Sequence, residues 1–439
     1  MPHSNLILLS VGPSSPPVLN TLSIPFLVVG GVVAFLLTYL FTFGVIALAQ
    51  KLGWVEKPVE GKIHTVTRPR VGGLGIYAAF VVASLVLYAP FLQTQTAACT
   101  SNCIEYVFGH PYPKELVIYV LFLIASALIV AVHVYDDVRG LKPLPKIIAQ
   151  TVAVLILMGP GFHYFHGVLF FGIHNPLPGH KLLAYDPSQP WYVQPELTLF
   201  IHTTVQQVEP AVELLAIPAV LFTWFWFVGM MNAVNFIDGL DGLAAGIVAI
   251  AGLFITIISW QQQQYTIAML AVIFTGATAG FLPHNWNPAR VIMGDSGAQF
   301  LGLCMAMLAV IGGAKFALLL LVLGIPILDI AWVMLNRIRR GQHPMQRDVL
   351  PLQARKTHLH YRLLFGGLST RQVCLVLYGA TALLGACALF LSSEFKFLGI
   401  FMVVVMMAVL LWWSTRLQIK REQRQKQPQE KEAASPTAR

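Results

Sequence analysis

From Met230 to Gly252 the chain reads MMNAVNFIDGLDGLAAGIVAIAG. Bulky apolar residues lead into Asn232, Asn235, Asp238 and Asp241, one polar side chain every third position, and then the apolar run resumes. An Asp at the centre of a bilayer costs about 2.5–3.5 kcal/mol. Two amides and two carboxylates therefore belong at the end of a membrane span, where apolar helix meets water. That reading makes the chain a membrane protein and marks this junction as a place where chemistry gathers.

The rest of the sequence agrees. The 439 residues are 56% hydrophobic and only 11% charged, with a mean hydropathy of +0.70. Soluble domains carry about 25% charged residues. The net charge of +9 is that of a polytopic protein with basic cytoplasmic loops. Nucleic-acid binding is not expected, since no basic helix with interleaved aromatics occurs.

Apolar stretches long enough to cross a bilayer fall at about 23–49, 72–93, 115–135, 147–169, 212–234, 243–260, 265–283, 297–312, 316–336, 372–392 and 396–415. The expected fold is an all-α polytopic membrane domain over 23–416 with about eleven spans. Residues 1–22 lack a basic n-region and an A-x-A site, so they read as an external segment and not as a cleaved signal peptide. With the 50–71 loop inside, 24 of the 28 Lys and Arg face the cytoplasm, leaving Lys114, Lys181, Lys315 and Lys396 outside. This bias predicts an outer N-terminus and a cytoplasmic C-terminus. The external loop 170–211 has β-prone pieces around a Pro/Gly-rich middle, which suggests a small external β-hairpin. Cys99 and Cys103 also fall outside, where a disulfide is expected. Residues 417–439 form a polar, basic tail expected to be disordered.

On this topology the polar motifs collect on the cytoplasmic side. They are KIHTVTRPRVGGLG from Lys62, HVYDDVRG from His133, NAVNFIDGLDGL from Asn232, NWNPARVIMGDSG from Asn285 and KTHLHYRL from Lys356. Asp136, Asp137, Asp238, Asp241 and Asp295 all sit at cytoplasmic ends of spans. Crowded carboxylates raise one another's pKa, and a bound cation relieves the conflict. Hard oxygen ligands suit Mg²⁺, which takes one or two carboxylates plus substrate phosphates; Mn²⁺ is the alternative ion. A transporter would place such acids near the midplane instead. His358 and His360 are two apart and do not form the i, i+4 zinc pair of a helix.

The order DD, NxxNxxDGLDGLAxG, NxxPAxxxMGDSG and HLH resembles the polyprenyl-phosphate N-acetylhexosamine-1-phosphate transferases from about Lys62 to Leu364. The nearer branch is similar to the bacterial enzymes that start O-antigen, enterobacterial common antigen or teichoic acid linkage units. Phospho-N-acetylmuramoyl-pentapeptide transferases are more distant, and their run of three histidines is absent here. The resemblance implies a bacterial plasma-membrane enzyme acting at the cytoplasmic face. It would take undecaprenyl phosphate and a UDP-N-acetylhexosamine as substrates, with membrane lipids around it; a homodimer is left open.

By the same resemblance Asp295, Asp136 and Asp238 would hold the metal. Asp136 or Asp137 would handle the lipid phosphate. Asn232, Asn235 and Asp241 would bind nucleotide or support groups that do. His358, His360 and Arg362 would approach the sugar and diphosphate, and Lys62, His64, Arg70 and Lys146 would supply positive charge. The chain departs from the branch around its histidines: Arg355 stands where an Asp is expected, Tyr361 where a further His is expected, and Asp348 is the candidate displaced acid.

Overall fold

The computed structural model of the chain describes residues 23–56, 67–96, 104–107, 110–158, 216–311, 323–339, 341, 358–390 and 396–433. They are almost entirely helical. In chain order the helices are α1 (Ile24–Leu52), α2 (Gly73–Ala83), α3 (Ala89–Thr96), α4 (Lys114–Arg139), α5 (Pro143–Met158), α6 (Ala216–Ile237), α7 (Leu243–Gln261), α8 (Tyr265–Asn285) and α9 (Gly294–Ile311). After them come α10 (Gly324–Arg339), α11 (Leu359–Phe365), α12 (Thr370–Phe390) and α13 (Lys396–Ala433). A π-helical turn at Ser84–Tyr88 joins α2 to α3.

Among the described residues, eight helices are long and apolar enough to cross a membrane: Ile24–Leu52, Gly73–Thr94, Glu115–Arg139, Leu243–Gln261, Tyr265–Asn285, Gly294–Ile311, Thr370–Phe390 and Phe401–Arg421. Pro143–Met158 and Leu221–Ile237 are shorter apolar helices. The protein is a multi-pass membrane protein. Each of these ten lies on a stretch that hydropathy marks as a span, and α10 covers part of the stretch at 316–336.

α9 sits at the centre, buried from Ser296 to Ala309 and packed against α4 and α6. Helices that are apolar on every side belong inside a bundle. α1 lies against α8, and small residues permit the approach: a Cβ on Gly276 would strike the backbone of Gly31, and one on Gly280 the backbone of Phe35. The G-x-x-x-G spacing lets the two backbones touch. Away from the core, apolar side chains face outward, as Leu40 and Trp412 do at 60% and 61% exposure. Such a surface suits lipid.

Two expectations fall outside the described residues: the hairpin in 170–211 and the Cys99–Cys103 pair. A hairpin does occur elsewhere, where Ile104–Val107 pairs antiparallel with His110–Pro113 just before α4. A third expectation is corrected. α13 runs on to Ala433, so 417–433 are helical where polarity suggested a disordered tail. The segment is rich in Gln, Lys, Arg and Glu, all good helix formers, and it extends a helix already nucleated by an apolar span.

Candidate active site

Two distant stretches lie side by side to build the site. Ile292 N–H donates to Pro69 O at 2.8 Å, Gly72 N–H to Ile292 O at 3.0 Å, and Gly73 N–H to Met293 O at 2.8 Å. The ladder ends at Gly294, whose φ of +78° favours glycine. A Cβ there would collide with the Arg70 carbonyl and the Asp137 carboxylate. The chain therefore turns into α9 directly under Arg70.

Three carboxylates meet at this turn. Asp136 and Asp137 come from the end of α4, and Asp295 from the first turn of α9. Their oxygens lie within 4.8 Å of one another. Asp137 accepts from Asp295 N–H at 2.8 Å, from Ser296 N–H at 3.0 Å and from the Ser296 hydroxyl at 2.7 Å. It satisfies the orphan donors at the start of α9 and places negative charge at a positive helix end. Asp136 accepts from Leu141 N–H at 2.6 Å and pairs with Lys146. Lys146, in the first turn of α5, also reaches Asp295 at 2.8 Å. Arg70 lies 3.4 Å from Asp137 and 3.3 Å from Asp295.

The opening motif divides. Asp238 lies in the turn after α6 and outside the close trio, yet near enough for Asp295 to act on it: burial, then the Asp295 charge, push its carboxyl up to about 8. Asp241 serves as a tie. Its Oδ2 accepts from Arg68 at 3.0 Å, from Asn287 at 2.9 Å and from Ala289 N–H at 3.0 Å. Asn285 completes the tie by accepting from Gly242 N–H at 3.0 Å. Asn232 points into the bundle, donating to Gln150 at 3.1 Å and to Val228 O at 2.8 Å. Asn235 is half-buried one turn before Asp238.

The histidine segment docks on the same junction. His358 stacks on Phe236 of α6 with ring centroids 5.9 Å apart, and on His360 at 5.7 Å. His360 is buried, 2% exposed, with its Nε2 beneath Gly239. Tyr361 donates to Gly239 O at 3.3 Å. The two motifs thus meet although about 120 residues separate them.

Comparison with known proteins decides the family. The pattern described as glycosyl transferase family 4 matches residues 119–313. A decaprenyl-phosphate N-acetylglucosaminephosphotransferase of Mycobacterium leprae is 30% identical over 79% of each chain. The chain belongs to glycosyl transferase family 4. A probable undecaprenyl-phosphate N-acetylglucosaminyl 1-phosphate transferase of Bacillus subtilis is 27% identical over 87% of this chain and 89% of its own. The phospho-N-acetylmuramoyl-pentapeptide-transferase of Geobacillus thermodenitrificans is 48% identical, but over only 23% of this chain.

The family 4 match takes in Asp136, Asp137, Asp238, Asp241, Asp295 and Lys146, and it stops before the histidine segment. Among the described residues, the carboxylates close enough to share an ion are those of Asp136, Asp137 and Asp295, whereas the expected trio was Asp136, Asp238 and Asp295. An all-oxygen set of this kind suits a hard divalent ion. Arg70 and Lys146 together do not balance the trio's three carboxylates, so the residues present fit a cation.

Arg362 donates from one nitrogen to Thr415 on α13 at 2.6 Å. Lys62, His64 and Asp348 lie outside the described residues. The carboxylate that does meet the histidines is Asp329 of α10, 2.9 Å from His358 Nδ1. A lone acid inside the apolar stretch 316–336 is the signal that could have found it.

Proposed function

We propose that this family 4 protein transfers N-acetylhexosamine 1-phosphate, with N-acetylglucosamine as the sugar, from a UDP-sugar to undecaprenyl phosphate. The products are undecaprenyl-pyrophosphoryl-sugar, the first intermediate of a cell-envelope glycan, and UMP. A lipid phosphate oxygen forms a bond to the β-phosphorus. The bond from that phosphorus to the bridging oxygen breaks, and its electron pair leaves on UMP. One observation carries the reading: Asp136, Asp137 and Asp295, from sequence positions about 159 residues apart, converge at the ends of apolar helices. The relatives that align over most of the chain, N-acetylglucosamine phosphate transferases acting on decaprenyl or undecaprenyl phosphate, support the substrate class.

Both substrates are anions, so catalysis is chiefly positioning and charge neutralisation. Asp136, Asp137 and Asp295 would hold Mg²⁺, with Asp238 close by; the ion supplies Lewis-acid stabilisation of phosphoryl charge. Arg70 and Lys146, now paired with these carboxylates, are in place to turn toward phosphate oxygens. Phosphate dianions are already nucleophilic, so no strong base is needed. The ends of α4 and α6 set the reaction where a lipid headgroup and a soluble nucleotide both reach. The charge bias of the loops supports placing this face in the cytoplasm, within a bundle of about eleven spans.

The test is release of UMP from purified protein given undecaprenyl phosphate and Mg²⁺. UDP-N-acetylglucosamine, its galacto epimer and UDP-N-acetylmuramoyl-pentapeptide are offered in turn. The reading expects turnover with the first donor. Release from the pentapeptide donor alone moves the protein to the peptidoglycan reaction, and release from none ends the transferase reading.

A further inference from the structure

We propose that Asp329 is a positioning residue that sets the histidine at the reaction centre, an inference that rests on the transferase reading above. Asp329 is 3% exposed and lies on α10, in a stretch that hydropathy alone assigns to lipid. Its two oxygens act separately. Oδ2 lies 2.9 Å from His358 Nδ1, and Oδ1 accepts from Leu359 N–H at 2.8 Å. Beside the carboxylate Ile237, Leu243, Ile325 and Leu359 line a small cavity, with His360 and Thr381 as its other polar side chains. A buried carboxylate in such a place is costly unless it is hydrogen-bonded, and His358 and the start of α11 supply those bonds.

The chemistry of the pair fixes the tautomer. A carboxylate oxygen accepts, so Nδ1 carries the proton. Nε2 is then the nitrogen that the ring turns away from α10. Phe236 and His360 stack on the ring, which leaves it little freedom to flip. Phe236 is two residues before Asp238, so the oriented ring belongs to the same junction as the acidic turn. Asp329 does for His358 what an outer-shell carboxylate does for a metal-bound histidine: it settles which nitrogen works and where it points.

Capping of α11 alone would be the purely structural role, and Asp329→Asn separates the two. The amide keeps an oxygen for Leu359 N–H but presents NH₂ to Nδ1. That nitrogen must then accept, which drives the ring proton to Nε2. In purified protein, kcat/KM for the UDP-sugar should fall about 10–100-fold, the range for lost outer-shell partners, with thermal stability and KM for undecaprenyl phosphate held. In a His358→Gln background the same change should cost less than about twofold, because residues acting as a unit are non-additive. Wild-type kinetics in Asp329→Asn, or equal losses in both backgrounds, overturns the proposal. Nitrogen NMR of histidine-labelled protein, with His358→Gln to assign the signal, reads the tautomer without any turnover. Nδ1-protonated His358 in wild type, shifting to Nε2-protonated in Asp329→Asn, supports the positioning role; an unshifted signal sinks it. Inactive wild type with the expected shift would instead count against the transferase reading and leave the pair standing.

Discussion

One oxygen of Asp137 on α4 accepts both the backbone N–H and the hydroxyl of Ser296 on α9, at 3.0 and 2.7 Å. An acid in one helix thereby caps another. The Asp137 side chain is fully buried, so nothing else replaces these bonds. Hydrogen bonds to a charged group contribute about 1.5–3 kcal/mol each. Asp137→Asn should lower the melting temperature in detergent and reduce UMP release at least about 100-fold, whereas Ser296→Ala removes one of the three bonds and should cost about 1.5–3 kcal/mol. Differential scanning fluorimetry beside the UMP assay separates the two effects.

Gly294→Ala tests the turn beneath Arg70. The new methyl group would meet the Arg70 carbonyl and the Asp137 carboxylate, at a φ that already costs a non-glycine residue about 1–2 kcal/mol. Turnover should fall below about 1% of wild type, because a misplacement of about 1 Å near the reacting atoms costs about 100-fold. Retention of more than a third of the rate would show that Arg70 and Asp137 are not required in this arrangement.

Asp295→Asn should abolish turnover and leave the helical circular dichroism unchanged. Manganese EPR gives a readout independent of activity: bound Mn²⁺ should be lost in Asp295→Asn and kept in Asp241→Asn. Asp241→Asn should act mainly on stability, since its partners are Arg68, Asn287 and Ala289. Equal metal loss in both variants would place Asp241 among the ligands.

Asp238 predicts a pH dependence with a definite sign. Burial and Asp295 hold its carboxyl up to about 8 in the folded chain, above the ordinary value near 3.9. The folded state therefore binds the extra proton. Stability from this group is complete below about pH 4 and is lost as pH rises toward about 8. The metal-free protein should melt lower at pH 8 than at pH 6, and Asp238→Asn should flatten that slope. Mg²⁺ should recover the loss at pH 8. A slope unchanged by Asp238→Asn would refute the assignment.

His358 and His360 should behave differently despite their adjacency. Burial holds the His360 imidazole down to about 4, so it is neutral at pH 7. His360→Phe should keep turnover within about threefold, as size-conserving changes in packed sites do. His358→Gln should lose about 10–100-fold in kcat/KM. A large loss in His360→Phe with unchanged melting would return His360 to the catalytic group.

Much of this arrangement is legible in the residues. Acids at the ends of apolar runs stand out because lipid penalises them, which is why the sequence marks Asp136, Asp137, Asp238, Asp241 and Asp295. Their division of labour is not legible. Asp137 and Asp241 differ from Asp295 through backbone N–H groups more than 40 residues away, and spacing along a chain does not show which donors will arrive. Asp329 was hidden for the opposite reason: one acid inside a long apolar stretch leaves the hydropathy average intact. Nothing in HLHYRL reveals that Thr415 will stand opposite Arg362. The continuation of α13 past the bilayer was masked by a composition that serves disorder and helix equally well.

That continuation bears on the order in which the protein is made. Thr415, Gln418 and Arg421 hold the short helix after His358 through Arg362 and the Phe365 carbonyl. Arg70, Asp137, Lys146 and Asp295 have all left the ribosome long before those anchors are translated. The elements of the acidic centre are complete before the histidine segment gains its clasp, so premature release between about residues 365 and 415 would yield a protein with its acidic half present and its histidine half unfastened.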